Sequence, residues 1–407
     1  MRRIIFTMIL GLLGAAPASA QVYATPLPPG PGTVPLVFPG GPLVAPILMP
    51  LNAPTAAPVA IYNYASPRPV LLTAGGSAPP TRRFYVGAEF LFGVVEGDHL
   101  PALVTASPAG TPIGQAGALF NPTTFTSFGG GRANNEFRPG ARFHAGYWLD
   151  CEHVNAIELG GFFLGGTNDR FIGSSGPGGI ILARPLVNGT TSTNFGLPVA
   201  GITPGGITAS ADSSVGGFDI NYRRASVIDI GARLDAIAGF RFLHLGDSVD
   251  VWQANNGLLV NDHFSTRNNF YGGQIGGILT AGMGGGFGFE GFAKVAIGVT
   301  AATADTDAST AALGQAVPIG VLVQPTNLVG RTTTYFGVVP EAGIKLNYAF
   351  GERFRVDAGY SFLYWSEVRR APGQIDLTTT APGRPAFRDE TTDLWIQAFS
   401  LGARVEF

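Results

Sequence analysis

The stretch Phe84-Tyr-Val-Gly-Ala-Glu-Phe-Leu-Phe-Gly-Val94 alternates between two kinds of residue. All of its even positions are apolar, whereas its odd positions include two glycines and the carboxylate Glu89. Successive side chains of a β-strand point to opposite faces, so a period of two indicates a strand with one apolar face. The stretch therefore predicts a strand that lies between an apolar and a polar environment.

The same alternation recurs along the chain, in segments 141–149, 218–223, 287–299, 338–348, 354–364 and 395–407. Less regular apolar segments at 154–164, 230–252 and 268–281 bring the predicted number of strands to ten. The 59 glycines and 31 prolines among 407 residues argue against a helical protein, because Gly and Pro both weaken helix interiors. An all-β chain is predicted.

The links between these strands alternate in length. Tight turns are predicted at 150–153, 225–229, 282–286 and 350–353, and long loops at 97–136, 165–214, 253–267, 302–335 and 367–391. Short turns at one end and long loops at the other are typical of a transmembrane antiparallel up-and-down β-barrel. A soluble β-sandwich has no reason to sort its loops by length. The sequence thus predicts a membrane barrel of ten strands, with twelve as the alternative.

Composition excludes several other classes of protein. Hydrophobic residues make up 45% of the chain and charged residues 13%, which rules out a disordered polyelectrolyte. The net charge of −2 leaves no basic stripe for nucleic acid. A single cysteine, Cys151, excludes an internal disulfide framework, and the five scattered histidines show no ligand spacing. No metal site or other cofactor is expected.

Residues 1–20 carry the pattern of a secretory signal peptide, with Arg2 and Arg3 before an apolar run and Ala18-Ser19-Ala20 as the cleavage site. Residues 21–80 hold 15 of the prolines and one charged residue, Arg68. Because Pro lacks an N–H, this segment is expected to join no sheet and to form a disordered periplasmic arm. The barrel is assigned to residues 82–407.

The apolar faces of the strands are expected to contact lipid, since an Arg at the bilayer midplane costs about 2–4 kcal/mol. Charged residues of opposite parity then line the lumen, with eight of each sign and one histidine. The predicted lumen-lining residues are Glu89, Arg142, His144, Glu158, Asp219, Arg223, Arg233, Asp235, Arg241, Glu290, Lys294, Glu341, Lys345, Arg355, Asp357, Arg404 and Glu406. Their balance favours cross-linked ion pairs over a conducting pore.

Several stretches resemble the putative β-barrel porin-7 family of bacterial outer-membrane proteins, in order over residues 82–407. They are Gly140-Ala-Arg-Phe-His-Ala-Gly-Tyr-Trp-Leu-Asp150, Gly161-Phe-Phe-Leu164, Ala183-Arg-Pro185, Ala238-Gly-Phe-Arg-Phe-Leu243, Thr266-Arg-Asn-Asn-Phe-Tyr-Gly-Gly-Gln274, Val339-Pro-Glu341 and Gly359-Tyr-Ser-Phe-Leu-Tyr-Trp-Ser366. The resemblance implies an outer-membrane barrel and supplies no substrate. The chain end also resembles the signal read by the barrel-assembly machinery, with Phe399, Leu401, Val405 and Phe407 on one face.

Three local features stay open at this level. Pro340 predicts a bulge or a missing bond in its strand, because it cannot donate to a ladder. Loop 165–214 either fills the lumen or forms an outer binding surface. Aromatic residues near strand ends are candidates for interfacial girdles, namely Tyr147, Tyr348, Phe354, Tyr364, Trp365 and Trp395.

No catalytic constellation stands out. Gly286-Phe-Gly-Phe-Glu-Gly291 fits a dinucleotide pattern but lies in an alternating strand with no helix after it. His144 is expected to be a lumenal hydrogen-bonding residue rather than a general base. The sequence therefore predicts a non-enzymatic outer-membrane protein, either a narrow porin for passive diffusion of small solutes or a structural surface protein. The alternatives are a surface adhesin or receptor that uses its long loops and, less favoured, a lipid-modifying enzyme. Expected partners are outer-membrane lipid and the assembly machinery.

Overall fold

The computed structural model describes residues 82–407 apart from 192, 230 and 313, together with two short strands at 60–62 and 69–71. The predicted signal peptide and the rest of the predicted arm lie outside the described residues. β1 (Ala60–Tyr62) and β2 (Pro69–Leu71) pair antiparallel. The expectation that this segment joins no sheet is wrong for these six residues. Pro69 is the first residue of its strand, where a missing N–H is tolerated.

The remaining elements follow in chain order. They are β3 (Phe84–Val95), β4 (Asp98–Leu100), β5 (Val104–Ser107), β6 (Phe125–Phe128), β7 (Gly131–Ala133), β8 (Phe137–Trp148), β9 (Asn155–Ser175), β10 (Ile181–Asn188), β11 (Thr193–Ala200), β12 (Gly205–Asp229), β13 (Ala232–Asn255), β14 (Leu258–Gly284), β15 (Phe287–Ala312), β16 (Gln315–Val317), β17 (Gly330–Phe350), β18 (Phe354–Val368), the 3₁₀ turn η1 (Pro372–Gln374), β19 (Thr378–Thr379) and β20 (Thr392–Glu406). Among the described residues, no helix is long and apolar enough to cross a membrane.

Ten of these strands form one closed sheet in the order β3-β8-β9-β12-β13-β14-β15-β17-β18-β20. Each strand pairs antiparallel with its neighbours in the chain, and β20 closes the ring on β3, from Glu406 opposite Tyr85 to Ile396 opposite Val95. Closure leaves the sheet without a free edge, so its backbone N–H and C=O groups are paired within the sheet, as the interior of a lipid bilayer requires. The predicted ten-stranded up-and-down barrel is confirmed, and the twelve-stranded alternative is wrong.

One end of the barrel carries only tight turns, at 149–154, 230–231, 285–286 and 351–353. We call this the short-turn end. The opposite, long-loop end carries segments 96–136, 176–204, 313–329 and 369–391, and also a two-residue turn at Asn256-Gly257. The predicted loop at 253–267 is therefore wrong. Both turn residues have positive φ, 46° and 83°, as expected for an Asn-Gly hairpin turn. β13 and β14 therefore extend on both sides right up to the turn.

The wall changes chemical character halfway along its long strands. On β13, the outward residues Leu234 and Phe240 are 43% and 39% exposed near the short-turn end, whereas Asp250 is outward near the long-loop end. The inward face changes in the opposite sense, from Arg241 to the buried Val251. β12, β14 and β15 follow the same scheme. Segments 165–175, 205–214 and 302–312 were predicted to be loops, and they are parts of β9, β12 and β15. The prediction fails there because the outward residues of these segments are mostly polar, whereas the alternation used to find strands requires an apolar outward face.

Of the two alternatives predicted for Pro340, the bulge does not occur, because Pro340 stands in unbroken register opposite Val295 of β15. The missing bond does occur, since the ladder to β18 ends one residue away, at Glu341 opposite Leu363. One girdle prediction needs correction. Trp365 is no girdle residue, because its side chain is fully buried inside the barrel. Tyr147 and Phe354 do face outward, with 46% and 41% of their surface exposed.

Candidate functional site

Trp148, the last residue of β8, forms the floor of the lumen at the short-turn end. It is 3% exposed, and the ring of His153 from the turn 149–154 stacks on it at 5.0 Å. The guanidinium groups of Arg233 and Arg223 lie 4.7 Å and 5.6 Å from the indole ring, within cation–π range. Asp235 bonds to both arginines. The floor therefore closes this end with packed rings and paired charges.

Directly inside the floor lies a chamber lined by charged residues. Fourteen of the seventeen predicted lumen residues line this one cavity, which we call the charged chamber. They are Glu89, Arg142, His144, Glu158, Asp219, Arg223, Arg241, Glu290, Lys294, Glu341, Lys345, Arg355, Asp357 and Arg404. The other three do not line it: Asp235 pairs with Arg223, Glu406 with Arg404, and Arg233 with Asp235.

Glu89 is the centre of one group of ion pairs in the chamber. Its side chain is fully buried; it accepts from Lys345 and from Arg142, the latter at 3.2 Å, and lies 3.8 Å from His144. Arg142 reaches on to Glu341, 3.8 Å away, which itself accepts from Arg241 at 2.6 Å. Buried charges are tolerated only when paired and hydrogen-bonded, and these pairs supply that condition. They also tie together strands from opposite sides of the barrel.

A second group centres on Glu158 of β9. Glu158 accepts from the buried Tyr85 hydroxyl at 2.6 Å and from Arg223 at 3.1 Å. The guanidinium of Arg404 lies 3.7 Å from the centre of the Tyr85 ring. This group joins the chamber to the floor, so that the short-turn half of the lumen is one connected polar network.

The free space in the chamber is small. Its volume is about 100 Å³. A water molecule needs roughly 10–15 Å³ of such space, so the chamber has room for several waters and for no larger solute. Porins of large strand number leave a continuous aqueous channel, whereas narrow barrels are filled by side chains. The chamber belongs to the second kind.

An apolar layer covers the charged chamber on the side of the long-loop end. Its largest members, each at most 3% exposed, are Leu91, Leu164, Leu243, Leu245, Phe270 and Trp365. The rings of Phe270 and Trp365 meet edge to face at 6.2 Å, and the indole N–H donates to the Thr300 hydroxyl at 3.0 Å. This apolar layer lies between the charged chamber and the loops of the long-loop end.

Loop segments fill the remaining space at the long-loop end. β5, β6, β10, β11 and β19 form a small sheet, which we call the loop sheet. Its residues Val104 and Leu182 belong to one buried cluster with Ala209, Val251 and Phe264 from the inward faces of barrel strands. The open question about segment 165–214 is thereby answered: its central part, 181–200, packs into the barrel.

Asp262 of β14 anchors this packing from the wall. Its carboxylate accepts from Arg184 of the loop sheet at 2.5 Å. It also accepts from three successive backbone N–H groups, those of Val321, Leu322 and Val323, at 3.2, 2.9 and 2.7 Å. One buried side chain thus fixes both the hairpin 181–200 and the loop 313–329.

Sequence reasoning missed the apolar layer, although its signal was present. Leu91, Leu243 and Trp365 share the parity of the charged residues on their own strands, so strict alternation places them inward. The prediction treats the inward face of each strand as polar throughout, whereas the inward faces carry charged residues in one half of the barrel and apolar residues in the other. The predicted assembly residues Phe399, Leu401 and Phe407 lie outward, at least 58% exposed. Within the described residues, no group of His, Cys, Asp and Glu is placed to hold a metal ion.

The closed ten-stranded wall, its outward apolar belt and its charged interior define an outer-membrane β-barrel. The chain belongs to the family described as putative beta barrel porin-7, whose pattern matches residues 85–407. No curated protein sequence matches it. The family places the protein in the outer membrane.

Among solved structures, the outer membrane protease OmpT from Escherichia coli matches with a TM-score of 0.39 and 10% identity, covering 79% of this chain and 97% of that one. A Pseudomonas aeruginosa FadL homologue matches with a TM-score of 0.24 and 10% identity, covering 81% and 91%. The P. putida toluene transporter TodX matches with a TM-score of 0.17 and 9% identity, over 81% and 91%. Likeness at this level carries no argument about what this chain binds.

Proposed function

We propose that this protein is a closed outer-membrane barrel with a structural and surface-presenting role, and that it is neither an open porin nor an enzyme. One observation carries the proposal: the apolar layer lies across the lumen between the charged chamber and the loop sheet. Solute diffusion would require the separation of at least six packed apolar side chains together with the floor. Passive diffusion is therefore the less favoured role.

The orientation forms part of the same proposal. The chain enters the barrel at Phe84 and ends at Phe407, and these two residues exchange backbone hydrogen bonds at the short-turn end. With the short turns in the periplasm, the N-terminal arm and the C-terminus lie there as well. The long loops then face outward from the cell. Phe407 stands at the terminus where the assembly machinery would bind, and outer-membrane lipid covers the apolar belt.

A catalytic role has little support in the geometry of His144. This histidine lies 3.8 Å from Glu89 inside the ion-pair network, where Glu89 already accepts from Lys345 and Arg142. A general base must reach a substrate proton, and a chamber of about 100 Å³ beneath an apolar layer admits none of useful size. A structural role follows for His144.

Planar-bilayer conductance of the purified full-length protein tests the proposal. We expect no conductance steps from protein that migrates as a folded, heat-modifiable barrel on a gel. A general porin reconstituted in parallel shows that the bilayer detects pores. Reproducible steps from the folded protein, absent from a heat-denatured sample, would overturn the closed-lumen proposal.

A further inference from the structure

A second cavity lies among the loops of the long-loop end. It is formed between the segment that follows β3 and the segment 369–392, and its volume is about 370 Å³. Its polar lining includes Asp98, His99, Arg370, Arg388, Glu390 and Thr391. Pockets for small ligands begin at about 300 Å³, so this cavity is large enough for one. We call it the loop pocket.

The inner wall of the loop pocket is fixed before any ligand arrives. Arg370 is buried, donates from Nε to Asp247 of β13 and donates from Nη1 to the Glu96 carbonyl at 3.1 Å. The preceding residue, Arg369, exchanges two backbone hydrogen bonds of 2.7 Å with the Asn268 side chain. A binding group held this rigidly loses little entropy when a ligand binds.

Two polar groups of this inner wall lack partners within the described part of the chain. Among the described residues, the hydrogen bonds of Arg370 engage Nε and Nη1, and none of them engages Nη2. Asp98 uses one carboxylate oxygen for the His99 N–H at 2.8 Å, and its other oxygen is buried without a hydrogen bond. Burial raises the pKa of Asp98, and the positive charge of Arg370 opposes this rise only in part. A ligand with both a donor and an acceptor would satisfy both groups.

The outer wall carries a pair of charges that can exchange partners. Arg388 donates to Glu390 at 2.6 Å, and their side chains are 42% and 58% exposed. Exposed pairs of this kind contribute little stability, so either partner is available to a ligand. Together with Arg370 and Asp98 the pocket presents two cations and two anions. Its balanced charges suit a ligand that itself carries both signs.

We propose that the loop pocket binds a small zwitterion, a free α-amino acid or a dipeptide. The ligand carboxylate binds Arg370 Nη2 and Arg388, and the ligand ammonium group binds Asp98 after a small rotation of its carboxylate. Among the described residues, no Phe, Tyr or Trp ring lines the pocket, so a sugar finds none of the broad aromatic faces on which sugars stack. This proposal goes beyond the closed lumen and does not depend on it, because the pocket lies in the loops.

Calorimetry on the full-length barrel in detergent micelles tests this inference. Glycylglycine and free alanine are titrated beside four probes: methylammonium and acetate each lack one of the two charges, and N-acetylglycinamide and glucose lack both. We expect the zwitterions to bind at least roughly tenfold tighter than any of the four, as charge-assisted bonds at both ends require. Equal binding of glucose or of the blocked dipeptide would overturn the proposal. Binding of acetate alone would show an anion site, and silence from every probe would exclude the pocket as a ligand site.

Variants locate the binding. Arg388→Gln and Asp98→Asn should each weaken glycylglycine binding about tenfold, because each removes one charge from the contact. Arg267→Gln is the matched control, since Arg267 is an exposed arginine that pairs with Asp305 and does not line the pocket. Heat-modifiable migration shows that each variant is folded. Unchanged binding in both pocket variants would overturn the assignment even if the wild type binds.

Discussion

Val338 donates its backbone N–H to the side-chain hydroxyl of Ser366, at 2.9 Å, at the point where two neighbouring barrel strands stop pairing. The ladder between β17 and β18 ends at Glu341 opposite Leu363. Alternate residues of a strand direct their N–H groups to the same side, so Pro340 would have donated toward β18, as Val338 does. Because Pro340 has no N–H, Ser366 is the residue that holds this part of the wall together.

Replacing Ser366 by Ala should open the wall locally. The loss of one hydrogen bond costs about 0.5–1.5 kcal/mol, and here it leaves a donor without a partner. Faster amide hydrogen exchange is expected at Val338, with unchanged exchange in β12 and β13. Ser248→Ala is a suitable control, because Ser248 lies in a strand that is paired on both sides. Equal exchange at Val338 in wild type and variant would contradict the role of Ser366.

Replacing Glu89 by Gln should destabilise the barrel strongly. The change leaves Lys345 and Arg142 without their shared carboxylate, and breaking a buried pair costs about 3 kcal/mol or more. The urea midpoint of the gel-shift unfolding transition should fall accordingly. Glu352→Gln breaks the Arg82–Glu352 pair, whose Glu352 side chain is 75% exposed, and should cost less than about 1 kcal/mol. Similar midpoints for the two variants would show that the chamber is more hydrated than its burial indicates.

Replacing Asp262 by Ala should detach the loops 176–204 and 313–329 from the barrel wall while the barrel itself stays folded. Arg184 and the backbone of 321–323 lose their common acceptor. We expect rapid proteolysis within 176–204 and 313–329 while heat-modifiable migration persists. Asp250→Ala removes an outward aspartate of the neighbouring strand β13, which pairs with His263, and serves as the control. Protection of both loops in the Asp262 variant would place their anchor elsewhere.

The floor should loosen on acidification. Burial lowers the pKa of His153 below its usual 6.5, since the ring is stacked on Trp148. With the folded pKa below the unfolded one, the unfolded state binds the proton first as the pH falls. The stabilising contribution of His153 is thus complete above pH 6.5 and is lost as the pH falls from there through the folded pKa. The protection factors of the amides in 149–154, corrected for the intrinsic pH dependence of exchange, should fall in this window, and His153→Phe should show a flatter pH dependence. Equal slopes would assign the effect to another group.

The strand alternation was sufficient to predict the barrel and its charged chamber, because lipid outside and charge inside give a regular period of two. Glu89 and Arg142 were placed inward on that ground. The same alternation predicts strands that are too short, because the polarity of the two faces is reversed at Asp250 and Val251, where an outward residue is charged and an inward residue is apolar. The loop pocket could not be predicted from the sequence, because Asp98 and Arg370 lie far apart in the chain and only the packing of the loops places both in one cavity.

The overhang of five strands has a consequence for how other cells and molecules meet this protein. β9 and β12 to β15 continue about 12 residues past the apolar belt, whereas β3, β8, β18 and β20 stop near its rim. At roughly 3.3 Å per residue and a tilt of about 45°, the overhang rises on the order of 30 Å. In the proposed orientation the side of the barrel with the long strands rises high above the membrane, and the side with the short strands ends close to it. An antibody or a phage fibre would reach the tall side first, whereas the loop pocket is formed by segments that follow β3 and β18, two of the short strands.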